Sequence, residues 1–144
     1  MQPLIQAVLN RISGDHALSQ IAGTTPTVYL SRAPETAAMP LITLHVAAGT
    51  PGLAGAHDFA GDRITPASLT LTCVADALTT ALAMADQLTT LLDAASFPLS
   101  AGTLLDCRQT AAPQPALAGF DAANTEVYHV EVKFICSVFN AAGA

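Results

Sequence analysis

Charge is scarce in this sequence. Asp, Glu, Lys and Arg make up 11% of its 144 residues, against about a quarter in ordinary soluble domains. The surface must then be covered by Thr, Ser, Ala, Gly and Gln, which resist association poorly. Two readings fit that surface: a subunit that works inside an assembly, or an Ala content inflated by a GC-rich genome. Basic residues number five, Arg11, Arg32, Arg63, Arg108 and Lys133, spread singly along the chain. A nucleic-acid grip draws on several Lys or Arg contacts to phosphate. Tight direct binding of DNA or RNA is therefore not expected, nor is membrane anchoring by a polybasic segment.

Trp is absent and aromatics are 5%, so the core must be built mainly from Leu, Val, Ile and Ala. A chain of 14.7 kDa suits one domain, here residues 1–144, able to bury roughly two thirds of its unfolded surface. No apolar run reaches the ~20 residues that span a bilayer. The opening "MQPLIQAVLNRISGD" lacks the basic region, apolar core and cleavage site of a signal peptide. Synthesis in the cytoplasm is the expectation. Cys73, Cys107 and Cys136 are odd in number and far apart within strand-like runs. That argues against a disulfide framework or a zinc site and for buried apolar side chains.

Catalytic patterns are missing too. The four histidines, His16, His45, His57 and His129, form no "HExxH", and "GxSxG", "GxxxxGK" and the dinucleotide-binding glycine pattern do not occur. His45 and His129 fall on strand-like runs, where a histidine points outward or is satisfied locally. His57 and Asp58 are adjacent, but in a Gly-rich stretch that gives them no fixed geometry. No catalytic, cofactor-binding or metal-binding residue is assigned, and no enzymatic activity is expected.

What is present is packing. In "SLTLTCVADALTTALAMADQLTTLL", Leu69, Leu71 and Cys73 alternate with Ser68, Thr70 and Thr72, the pattern of a half-buried strand. A helix follows at once, with Asp76 placed to cap it. Leu78, Leu82, Ala85, Leu88 and Leu92 make its apolar stripe, widened by Ala81 and Leu91, opposite Thr79, Ala83, Asp86, Thr90 and Asp93. An amphipathic helix is predicted from Gln2 to Ile12 and a short helical turn from Asp15 to Ile21. "VYL", "LITLHVA" and "GTLLDCRQT" read as strands. "AAPQPALAGFDAANT" reads as a Pro and Ala loop, and 48–62 as a long loop without period. Glu126 to Phe139 alternates so regularly that it predicts a strand of over ~40 Å, about twice the usual length. Such a strand must bend or pair outside its own subunit. The order predicts an α+β domain: a mostly antiparallel sheet of four to five strands, with an N-terminal and a central helix on one face.

The order "VYLSRAP", "AAMPLITLHV", "AGTPG", "TLTCVAD", "ALTTALAMADQLTTLL", a strand opening at Gly102 and a closing "EVYHVEVKFICSV" resembles the tail completion or tail terminator proteins of long-tailed bacteriophages, prophage-borne copies included. The likeness covers nearly the whole chain and lies in the combined order. It implies a structural virion protein at the head-proximal end of the tail, made in the host cytoplasm. It further implies a six-fold homo-oligomeric ring that caps the tail tube protein, stops tube growth and meets the head-tail connector, with DNA passing through. Within 48–62, Gly49, Gly52, Gly55 and Gly61 give a flexible tether for the large apolar Leu53 and Phe59. Thr50, Leu53, His57, Phe59 and Arg63 are the candidate partner contacts. The alternative function is a small-molecule or peptide-binding module with 48–62 as its lid.

Overall fold

The computed structural model describes residues 2–34, 37–49, 52–53, 63–121 and 124–140. Helix α1, Gln2–Ser13, buries Leu4, Val8 and Ile12, the four-residue repeat of one helical face. Helix α2, His16–Ala22, starts at Asp15, whose carboxylate accepts from Leu18 N at 2.9 Å, and stops at Gly23 with φ +81°. Helix α3 spans Leu78–Leu92. Asp15 also accepts from Gln87 Nε2 of α3 at 3.0 Å, so one side chain both caps α2 and fastens it to α3.

Two expectations for α3 are corrected. Its cap position is held by Ala77 with no side-chain hydrogen bond, while Asp76 is exposed one residue too early to reach the first turn. Its buried face is Ala81, Met84, Ala85, Leu88 and Leu92, and Leu82 is half-buried on the flank. Unbranched Met fills core space as readily as Leu, so counting leucines set the stripe slightly off its true centre.

Seven strands form one sheet among the described residues, against the four to five expected. They are β1 Thr27–Leu30, β2 Leu41–Ala48, β3 Gly52–Leu53, β4 Arg63–Ala75, β5 Thr103–Gln109, β6 Gln114–Phe120 and β7 Glu126–Asn140. The main path runs β1-β2-β4-β7-β5, with β3 on β4 and β6 on β7. Only β1 and β2 are parallel among these pairings, so the sheet is mostly antiparallel and the class is α+β.

Every residue of β4 faces a residue of β7, from Arg63 opposite Asn140 to Ala75 opposite Tyr128. The other edge of β7 is divided: β6 covers Glu126–Glu131 and β5 covers Phe134–Phe139. The unusual length of β7 is thus used inside the chain. Segment β6 falls where a loop was expected; its Pro115 pairs opposite Val130 on the sheet's margin, the place where a strand tolerates proline. Between β5 and β6, Thr110 N and Oγ1 both donate to Lys133 O, at 2.9 and 3.3 Å, so the chain stays against β7 across the gap.

Helix α3 lies across β4, β7 and β5, and α1 and α2 pack on α3. Beneath it, Leu44, Leu71 and Val132 make one cross-strand row and Ile42, Cys73 and Val130 the next. All six are buried, with Phe134, the largest fully buried side chain, further along β7. Burial of such residues is the main favourable contribution to this fold.

Candidate assembly surfaces

The same alternation that buries one face of the sheet presents the other. Thr43, Thr72 and Glu131 share a row; His45, Thr70 and Lys133 share the next; Ala47, Ser68 and Ile135 follow. No described helix covers them. Lys133 Nζ lies 3.1 Å from Glu131, and Arg108 Nε lies 2.8 Å from Asp106, with all four side chains largely exposed. Surface pairs of this kind contribute about 0–1 kcal/mol. Their larger effect is to leave the face without a block of one sign, so it is a polar mosaic and not a phosphate grip.

Large apolar side chains interrupt this polar exterior. Ile135 is 50% exposed in the middle of the open face, and Phe120 is 59% exposed at the end of β6. Phe120 borders a groove of about 970 Å³ floored by Leu41, Val74 and His129, with Ser31 and Arg32 on its rim. Its polar end is the turn after β6, where Asp121 accepts from Thr125 N and Asn124 N at 2.9 and 3.0 Å.

A second surface is the far end of β4. Leu53 pairs opposite Arg63, and Arg63 opposite Asn140, so β3, β4 and β7 make a three-stranded base there. Gly49 N donates to Pro66 O at 2.8 Å, holding the outgoing chain against β4 before β3 begins. The stretch expected to lack structure therefore carries β2 as far as Ala48 and a short strand beyond it. Of the candidate contacts, Leu53 and Arg63 meet at this base; Thr50, His57 and Phe59 lie outside the described residues, as does Asp58.

The remaining histidines do not converge. His16 begins α2, His45 is exposed on β2, and His129 sits on β7 opposite Val74. His45 shares a row with Lys133, which lies about 13 Å along β7 from His129. Burial lowers the His129 pKa from its usual range, and Glu131 opposes that shift. Among the described residues no three His, Cys, Asp or Glu side chains gather as a metal site. No described helix is long and apolar enough to cross a membrane.

Sequence reasoning marked neither β6 with Phe120 nor the nearness of Cys107 and Cys136. The first has Phe120 as its one strong β-former among Gln, Pro, Ala and Gly, and the second depends on strand register. The polar open face was legible in the Thr and Ser alternation of β4.

The described residues make a layered subunit with a helix-covered core, an open polar sheet face and a three-stranded end at β3, β4 and β7. The model of the family described as tail completion protein gp17 matches residues 6–136. The chain therefore belongs to the gp17 family of tail completion proteins, and it is a structural tail protein of the bacteriophage virion. A solved structure of the virion of a native gene transfer agent particle contains a chain of the same fold. The two superpose with a TM-score of 0.70 at 23% identity, over 96% of each chain. No curated protein matches the sequence.

Proposed function

We propose that the protein forms a ring, six-fold in symmetry, that caps the finished tail tube, ends its polymerisation and joins it to the head connector. The observation that carries this reading is the tail completion family match across residues 6–136. A ring needs a head-to-tail lateral contact, which closes when the rotation per subunit divides the circle. It also needs two axial contacts, one for the tube and one for the connector. The open face, the split β5/β6 margin and the β3/β4/β7 base are three separate surfaces for those roles. Thr50, Leu53, His57, Phe59 and Arg63 are assigned to the contact made from that base.

The ligand-binding alternative loses support from geometry. The groove floor at Val74 lies about 36 Å along β4 from Arg63, where the 48–62 connection rejoins the sheet. A lid would start at the wrong end of the strand.

The test is complementation in a phage or particle-producing strain lacking the gene. Heads and tails should accumulate unjoined, with tube length no longer fixed, and the wild-type gene should restore joined particles in electron micrographs. Normal joined particles without the protein would overturn the reading. Leu53→Ser with Arg63→Ala should reduce joining, and the far-UV spectrum and melting temperature of the purified variant separate loss of a contact from loss of the fold.

A further inference from the structure

Cys107 and Cys136 face each other across the β5/β7 ladder, directly opposed in register. Both are fully buried on the helix-facing side, and their sulfurs are 3.0 Å apart. Directly opposed residues of an antiparallel pair have Cα atoms ~4.5 or ~5.5 Å apart. Both values lie within the ~4.4–6.8 Å that a disulfide spans, and the sulfurs need to close by about 1 Å to bond. Opposite Cys136 on its other side is Ala67, small enough to let the sulfur turn.

We propose that Cys107 and Cys136 are a site of covalent modification, closing into an intrachain disulfide that staples edge strand β5 to β7 when the protein meets a low-molecular-weight disulfide oxidant. The reaction proceeds by two exchanges. The Cys107 thiolate attacks the oxidant RSSR, forming Cys107–S–SR and releasing one thiolate, which takes up a proton as RSH. Cys136 then gives up its proton and attacks the Cys107 sulfur, forming the protein disulfide and releasing the second RSH. Two protein thiols are oxidised and RSSR is reduced to two RSH.

The arrangement favours Cys107 as the first nucleophile. The Cys136 thiol donates to Cys107 Sγ, which lowers the Cys107 pKa; the same hydrogen bond, with burial, raises that of Cys136. Access comes through β5 itself, which lies at the sheet margin and is irregular between Leu104 and Asp106. Edge segments can open locally at a free energy below that of global unfolding. Cys73 cannot compete: its register partner Val130 is about 20 Å along β7 from Cys136, and burial pushes its thiol up to about 12.

The experiment treats the purified full-length chain with oxidised glutathione, then denatures, alkylates with iodoacetamide and measures intact mass. The expected product carries one alkylated cysteine, and peptide mapping joins the Cys107 and Cys136 peptides within one chain. Its melting temperature should rise by about 10 °C, as a loop of this length predicts, and dithiothreitol should reverse the rise. Cys73→Ala should leave no alkylated cysteine after oxidation, and Cys136→Ala should show no rise. Three alkylated cysteines after oxidation, a glutathione adduct persisting on Cys107, or a cross-link between chains would each overturn the proposal.

Discussion

Arg11 Nε donates to Leu91 O at 2.6 Å, and the guanidinium sits 5.4 Å from the centre of the Phe97 ring. The carbonyls of the last helical turn have no partner within their own helix and carry the negative end of its dipole. One side chain from α1 satisfies such a group on α3 and covers the aromatic ring beyond it. A hydrogen bond from a charged donor contributes about 1.5–3 kcal/mol. Arg11→Met keeps an apolar stem but removes the donor, so urea unfolding should show a loss of about that size. Arg11→Lys should recover part of it, because an ammonium is a point charge without the planar fork.

The phase of α3 can be read by paired substitutions. Leu88→Ala and Met84→Ala remove fully buried side chains and should each cost about 2–5 kcal/mol, with Leu82→Ala costing less because Leu82 is half-buried. Thr79→Ala and Thr90→Ala, both exposed, should stay within about 0.5 kcal/mol. Equal losses on both faces in denaturant titrations would contradict the packing of α3 on β4 and β7.

Gly102 and Gly23 separate backbone strain from crowding. Both have positive φ, +79° and +81°, but a Cβ on Gly102 would lie 2.9 Å from Phe139 O, whereas one on Gly23 meets nothing within 4 Å. Gly23→Ala should cost about 1–2 kcal/mol from conformation alone. Gly102→Ala should cost clearly more, because the clash is with backbone of β7 that cannot move without disturbing β4. Thermal melts of the two variants side by side check the ordering.

His129 sets a pH dependence. Its folded pKa is lowered by burial, against an ordinary value of 6.5. Between the lowered value and 6.5 the unfolded chain binds more protons than the folded one, so stability rises with pH through that window and falls as pH drops below 6.5. His129→Gln should flatten this part of the curve relative to wild type. Urea midpoints measured at pH 5 and pH 7.5 give the comparison. An unchanged difference between wild type and variant would show that His129 is not the titrating group.

The sequence displayed those elements whose residues carry their own pattern. Strict alternation in β4 and β7 identified both strands and both sheet faces, because side chains there point alternately into the core and out of it. Strand β6 was hidden: Gln114, Pro115, Ala116 and Gly119 have little preference for extended structure, and β7 imposes the conformation by offering an unpaired edge. Met84 escaped because it was not counted with the leucines, and Asp76 because caps depend on one residue of phase. Of the surfaces, the polar open face was visible and the meeting of Leu53 with Arg63 was not. Cys107 and Cys136 are 29 apart in the chain, so nothing in their spacing pairs them and only strand register joins them.

The two-sided pairing of β7 also decides how the molecule responds to pull. Tension along β4 and β7 loads their ladder in shear, so hydrogen bonds from Arg63 to Ala75 must yield together. Strand β1, held to β2 over four residues at the opposite margin, can be peeled pair by pair. Resistance to force is set by the barrier to rupture and not by equilibrium stability. The central pair therefore presents an axis that resists shear, and β1 a margin that yields by peeling.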